Sequence, residues 1–223
     1  MRRLLILACV FIAGIEIPTA GAQVLINTEI NIGEDHFQIS PVLSFLDTNY
    51  HVADHGTLTV DRSIFGLAEA YGLNKVLDVY GELAWVIQSK LEDEGESPGI
   101  LTGGGLRGLL WQQGQVSLHG NAGVRYIKEG YGNSIDGYVF EVPLGITARQ
   151  KLTHEFAIYG AVDVTPYSDG QVGYSTGHKN SERADNVGFR LGADYKLDWL
   201  ILFSGEFSFL GDEGVTFRVT LPM

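Results

Sequence analysis

From Phe37 to Leu221 apolar side chains recur at every second residue and almost nowhere at helical spacing. Phe37, Ile39, Leu43 and Phe45 share one parity, while Gln38, Ser40 and Ser44 share the other. Leu77, Val79, Leu83 and Trp85 oppose Asp78 and Glu82 in the same way. The pattern returns over 116–126, 138–146, 187–195, 203–209 and 215–221, and many glycines blur it near 56–72 and 99–112. Successive side chains of a strand point to opposite faces. The chain is therefore predicted to be all-β, with one apolar and one polar face to most strands.

Such strands close either into a sandwich with a dry inner face or into a barrel with an apolar outer face. The polar face holds Asp78, Glu82, Arg107, Arg125, Glu141, Arg149, Asp163, Arg190, Asp194, Glu206 and Arg218, in mixed sign at mid-strand. A solvated sandwich face would tolerate these too, so connection lengths discriminate better. With ten strands from His36 onward, long connections at 47–56, 91–99, 130–137 and 168–186 alternate with short ones near 72–74, 112–115, 151–154 and 196–198. The last hairpin, 211–214, is short although it falls on the long-loop end. Long loops at one end and tight turns at the other are the rhythm of an up-and-down membrane barrel, which Greek-key sandwiches do not keep. Trp111, Phe156 and Trp199 fall beside the short turns, and Tyr126, Tyr138 and Tyr167 near the long connections. Two girdles of interface aromatics are expected from that spacing.

The run 65–83 places two alternating segments about Gly72, Leu73 and Asn74. With its strand–tight turn–strand form, the stretch 36–221 resembles the small Gram-negative outer-membrane β-barrel proteins of the porin-like superfamily. The likeness is one of pattern, so it implies fold and location rather than activity. It implies a single up-and-down antiparallel transmembrane β-barrel of about ten strands, with eight or twelve still compatible, in the cell outer membrane. Outer-membrane lipid and lipopolysaccharide are then its surroundings, and the barrel-assembly machinery its partner during biogenesis. Those proteins usually end in an aromatic residue that the machinery reads, whereas this chain ends Leu221-Pro222-Met223.

Ahead of the barrel, Arg2 and Arg3 precede an apolar run from Leu4 to Ile15 and then Ala20-Gly21-Ala22. That is the layout of a cleavable signal peptide over 1–22, too short to span a bilayer as a helix. Residues 23–35 are expected to form an N-terminal periplasmic arm or an extra strand, and 36–223 the barrel. The single cysteine, Cys9, lies in the leader, which leaves no disulfide, thiolate nucleophile or cysteine metal site after cleavage. Without Arg2, Arg3 and Glu16, the 15 basic and 27 acidic residues become 13 and 26. A net charge of −13 argues against nucleic acid as a partner.

Candidate chemistry is sparse. Gly103-Gly104-Gly105-Leu106-Arg107-Gly108 has the G-x-G-x-x-G spacing, but an extended run follows where a dinucleotide site needs a helix. Strand glycines that ease curvature explain it better. His51, Asp54 and His55 could face a metal on a helix, but they fall in an expected loop. The acidic run 92–96 could gather divalent cations, although solvated charge is its ordinary meaning. No cofactor or metal is implied.

Acyl hydrolysis needs serine, histidine and an orienting carboxylate. His119 is predicted to face inward beside Ser117 and Asn121, on the half nearer the periplasmic turns, and no clear triad emerges. The inward charges are close to balanced, so they are expected to pair into a network that closes the lumen. A structural or surface-interaction role follows from a closed lumen. The alternatives are a narrow pore for small polar solutes and a lipid A-modifying enzyme.

Overall fold

The computed structural model describes residues 32–91, 95–131, 135–174, 177–198 and 201–222. The expected leader and most of the expected arm lie outside these. The strands are β1 (Phe37–Val52), β2 (Gly56–Gly72), β3 (Leu77–Leu91), β4 (Glu96–Gln113), β5 (Val116–Gly130) and β6 (Asp136–Lys151). They continue with β7 (Phe156–Tyr174), β8 (Gly177–Arg183), β9 (Val187–Asp198), β10 (Ile201–Phe209) and β11 (Asp212–Pro222). All pairings are antiparallel. Ten strands run in the order β1 to β7, then β9, β10 and β11, and β11 closes the ring onto β1. Closure reaches Pro222 opposite Gln38.

Burial is inverted relative to a water-soluble core. Trp85 and Phe207 are 55% and 64% exposed on the outer face, while Glu141 is 0% exposed inside. Turning so many large apolar side chains to water would forfeit the main driving force of folding. Facing hydrocarbon they cost nothing, and a closed barrel leaves no edge with unpaired backbone groups there. The interior is divided. An apolar patch of Val42, Leu46, Ile64, Ala84, Leu101 and Ile127 lines the β1–β5 wall, and most inward charges come from the remainder.

The eleventh strand, β8, is the departure from a simple barrel. Its residues pair with Gly170–Tyr174 of β7 on one side and Tyr50–Val52 of β1 on the other. There it takes the place that β9, β10 and β11 hold lower down. The wall therefore closes with ten strands at the tight-turn end and eight at the opposite end. Strands β1 to β7 have 15–19 residues, whereas β9, β10 and β11 have 12, 9 and 11. About 9–11 residues cross a bilayer. The three short strands are within one residue of that span, and the seven long ones rise beyond it.

That extension corrects the expected loops. Most of 47–56 and 168–186 is strand, and β1 reaches β2 through only Ala53–His55. The asymmetry between the two ends is one of strand height, not loop length. Where both faces of a strand meet water or protein, alternation disappears from the sequence although the hydrogen-bond ladder continues. The last hairpin likewise turns about Leu210 and Gly211, both of positive φ (62° and 85°), between Ser208 and Gly214, the last pair of its ladder.

At the tight-turn end, side chains cap the bends. Asn74 Oδ1 accepts the Val76 and Leu77 N–H groups at 2.8 and 3.0 Å, and Thr153 Oγ1 accepts the Phe156 N–H at 3.0 Å. Residues 32–36 turn beneath the same rim without joining the sheet. The Asp35 N–H donates to the Gly72 carbonyl at 3.0 Å, and the Ile32 N–H to Asp78 Oδ2 at 3.4 Å. Gly72 has to be glycine for this, since a Cβ there would lie 1.8 Å from the Gly33 oxygen.

Candidate functional site: the charged interior

Strand parity carries Asp78, Glu82, Arg107, Arg125, Glu141, Arg149, Asp163, Arg190, Asp194, Glu206 and Arg218 to the inner face, none more than 8% exposed. Arg62, Glu129, Arg183 and Asp212 join them, equally buried and not anticipated from the sequence. Arg62 and Glu129 stand on the extensions of β2 and β5. Their parity signal existed, since Arg62 lies six residues before the inward Ala68 and Glu129 four after Arg125. Asp212 lies six before Arg218. Arg183 carried no such signal, because it fell within an expected loop.

The charges form clusters. Glu129 receives Arg62 Nε at 2.8 Å, the Ser89 hydroxyl at 2.8 Å and the Tyr131 hydroxyl at 2.7 Å. The Arg62 guanidinium also lies over the Tyr50 ring, 5.1 Å from its centre. Below it Glu141 binds two arginines, Arg125 Nη2 at 2.6 Å and Arg183 Nη1 at 2.9 Å. Arg183 pairs with Asp212 as well, and Thr48 donates to that carboxylate at 2.6 Å. Arg190 bridges Asp163 at 2.5 Å and Glu206 at 2.9 Å, and Tyr159 donates to Glu206 at 3.0 Å. Nearer the tight turns Arg107 meets Asp78 at 2.8 Å and Arg149 meets Asp194 at 3.1 Å. Burying a charge is expensive unless it is paired and hydrogen-bonded. Glu129, Glu141, Glu206 and Asp212, with two or more partners each, meet that requirement.

Glycines make the room. A Cβ at Gly103 would lie 2.5 Å from Glu82 Oε1, and one at Gly145 would lie 2.2 Å from Asp163 Oδ1. The G-x-G-x-x-G stretch is thus part of β4, with an inward glycine that yields space to a charged side chain.

The remaining candidates sit apart. His119 Nε2 is 2.9 Å from Ser117 Oγ, facing inward near the tight turns. The carboxylate of Asp194 on that wall is bound to Arg149. His51, Asp54 and His55 do not converge: His51 projects outward, Asp54 binds Lys179 Nζ at 2.6 Å, and His55 stacks on Tyr174 at 4.6 Å. Among the described residues no group of three metal-ligating side chains is assembled. Residues 92–94 of the acidic run lie outside the described residues, as does Trp199. Trp111, Tyr138, Phe156 and Tyr167 are exposed on the outer face and Tyr126 is half-buried. Tyr126 stacks on Tyr138 with ring centres 6.2 Å apart.

Among solved structures, the outer membrane protease OmpT of Escherichia coli superposes with a TM-score of 0.53 at 11% identity, over 84% of this chain and 95% of its own. The fold is that of an outer-membrane β-barrel. Outer membrane protein OprG of Pseudomonas aeruginosa (TM-score 0.43, 10% identity, 85% of this chain and 99% of its own) is a more distant match to the barrel. So is Ail, the attachment invasion locus protein of Yersinia pestis (TM-score 0.36, 11% identity, 85% and 99%). No protein-family model and no curated protein matches the chain.

Proposed function

We propose that this barrel resides in the outer membrane, with an interior closed by ion pairs, and acts through its surface in a structural or surface-interaction role. One observation carries the reading: seven arginines and eight carboxylates occupy the inner face, and all fifteen are buried. A water-filled pore needs lining charges that remain solvated and mobile enough to pass an ion on. Here the pairs tie strands to one another, with Glu141 on β6 joined to both Arg125 on β5 and Arg183 on β8. Such a network makes the wall rigid and holds its tall end as a fixed platform. Cell fractionation with unheated gel electrophoresis tests the location, and planar-bilayer recording tests the closure. The protein is expected in the outer-membrane fraction, with heat-dependent mobility and no step conductance. A reproducible unitary conductance overturns the closed interior.

A further inference from the structure

Where the wall contracts from ten strands to eight, β7 changes partner. It pairs with β9 up to Val164 and with β8 only from Gly170. Between these points Pro166 has no N–H to offer a neighbour, and β7 bulges against β6 there. The chain leaving β8 crosses the gap, held by the Thr165 N–H on the Asn186 carbonyl at 2.7 Å and by the Ala184 N–H on the Asn49 carbonyl at 3.0 Å. The step leaves a recess of about 550 Å³, within the ~300–1,000 Å³ of small-molecule sites.

The recess is lined by His51, Thr57, Tyr167, Ser168, Glu182 and Asn186 among others. All but Ser168 are exposed, and Ser168 is half-buried. Tyr167 is 52% exposed, and its ring is fixed by an edge contact with Phe140, centres 6.2 Å apart. The one cationic side chain that contributes to the lining, Arg183, turns its guanidinium inward to Glu141 and Asp212. With Glu182 exposed and no available cation, the recess disfavours phosphate and other anions. A single lining carboxylate is too few ligands for a divalent ion. What remains is a neutral ligand rich in groups that both donate and accept. Hydroxyls, an amide, an imidazole and a carboxylate answer such groups, while an aromatic face takes the C–H side of a sugar ring.

We infer that this recess binds a saccharide, with Tyr167 as the stacking platform and Glu182 and Asn186 as hydroxyl partners. The inference deepens the surface-interaction reading and rests on it. The sugar can belong to a membrane glycolipid or to a soluble glycan, and both present the same chemistry. The test is calorimetric titration of the full-length protein in two arms. One arm uses uncharged hexose oligomers with detergent-solubilised protein. The other uses protein reconstituted in phospholipid vesicles with and without an uncharged hexosyl glycolipid. Saturable binding in either arm is expected, weakened about tenfold by Tyr167→Ala, the cost of losing an aromatic contact, and weakened also by Glu182→Gln. The arm that responds identifies the source. No saturable binding in both arms, or binding that neither variant changes, overturns the assignment. Heat-dependent gel mobility of each variant reports the barrel separately, so loss of the site is distinguishable from loss of the fold.

Discussion

Arg183 Nη1, on the last residue of β8, lies 2.9 Å from Oε1 of Glu141 on β6, with both side chains wholly buried. The same guanidinium binds Asp212 at the start of β11. One side chain thereby fastens the strand that narrows the wall to β6 and to β11, one of the strands it replaces. Removing one partner of a buried pair leaves the other uncompensated, at about 3–5 kcal/mol. Arg183→Ala is accordingly expected to lower the temperature at which the folded form converts on unheated gels. It should also accelerate amide exchange over 177–183 and in Tyr50–Val52. Exchange rates equal to those of the parent protein would show that β8 is held by its backbone pairings alone.

Glycine at 145 is a spatial requirement, since a Cβ there meets both Asp163 and Asn121. Gly145→Val is expected to displace the Asp163–Arg190 pair and to destabilise the barrel by about 1–3 kcal/mol, the usual cost of overpacking. Gly205, where an added Cβ would meet nothing, is the control. Denaturant titration of refolding into lipid vesicles measures both, and the Gly205→Ala variant should match the parent.

Outside the membrane-spanning part, the Lys179 ammonium donates to Asp54 and holds its carboxyl below the ordinary value of 3.8. A depressed carboxyl favours the folded form above its unfolded value, and that contribution fades as pH falls through the folded one. The contact is solvent-exposed, so the effect is local and sensitive to salt. Nuclear magnetic resonance of the turn between β1 and β2 should report greater mobility on acidification below pH 3.8, the ordinary value. Lys179→Met should bring that mobility to neutral pH. Identical profiles for the two proteins would remove the ion pair from the account.

The hydrogen bond between His119 and Ser117, 2.9 Å long, supplies two members of a hydrolytic triad. The inward-facing pair lies among arginine ion pairs near the tight turns, and a structural role is expected for it. His119→Ala should leave the acyl pattern of lipid A unchanged by mass spectrometry. An altered pattern would instead support the lipid-modifying alternative.

Alternation determined the all-β class and which side chains share a face, because the period of a strand is two and a one-residue slip in the closed barrel would turn Glu141 or Arg190 into hydrocarbon. Eleven of the fifteen buried charges could be placed from parity in the segments where one face is apolar. Once the strands rise beyond the apolar belt, nothing outside demands apolar residues. Arg62, Glu129, Arg183 and Asp212 lost their contrast there, or stood in stretches that read as loop. The strand count near ten was legible from the turns. The contraction to eight was not, for it depends on β8 pairing with β1 at Tyr50–Val52, which is distant in the chain. Backbone hydrogen bonds made that choice, and they leave no trace in side-chain pattern. Ion pairs such as Arg62–Glu129 and Arg183–Asp212, and the recess at the step, exist only because the closed wall brings strands distant in the chain together.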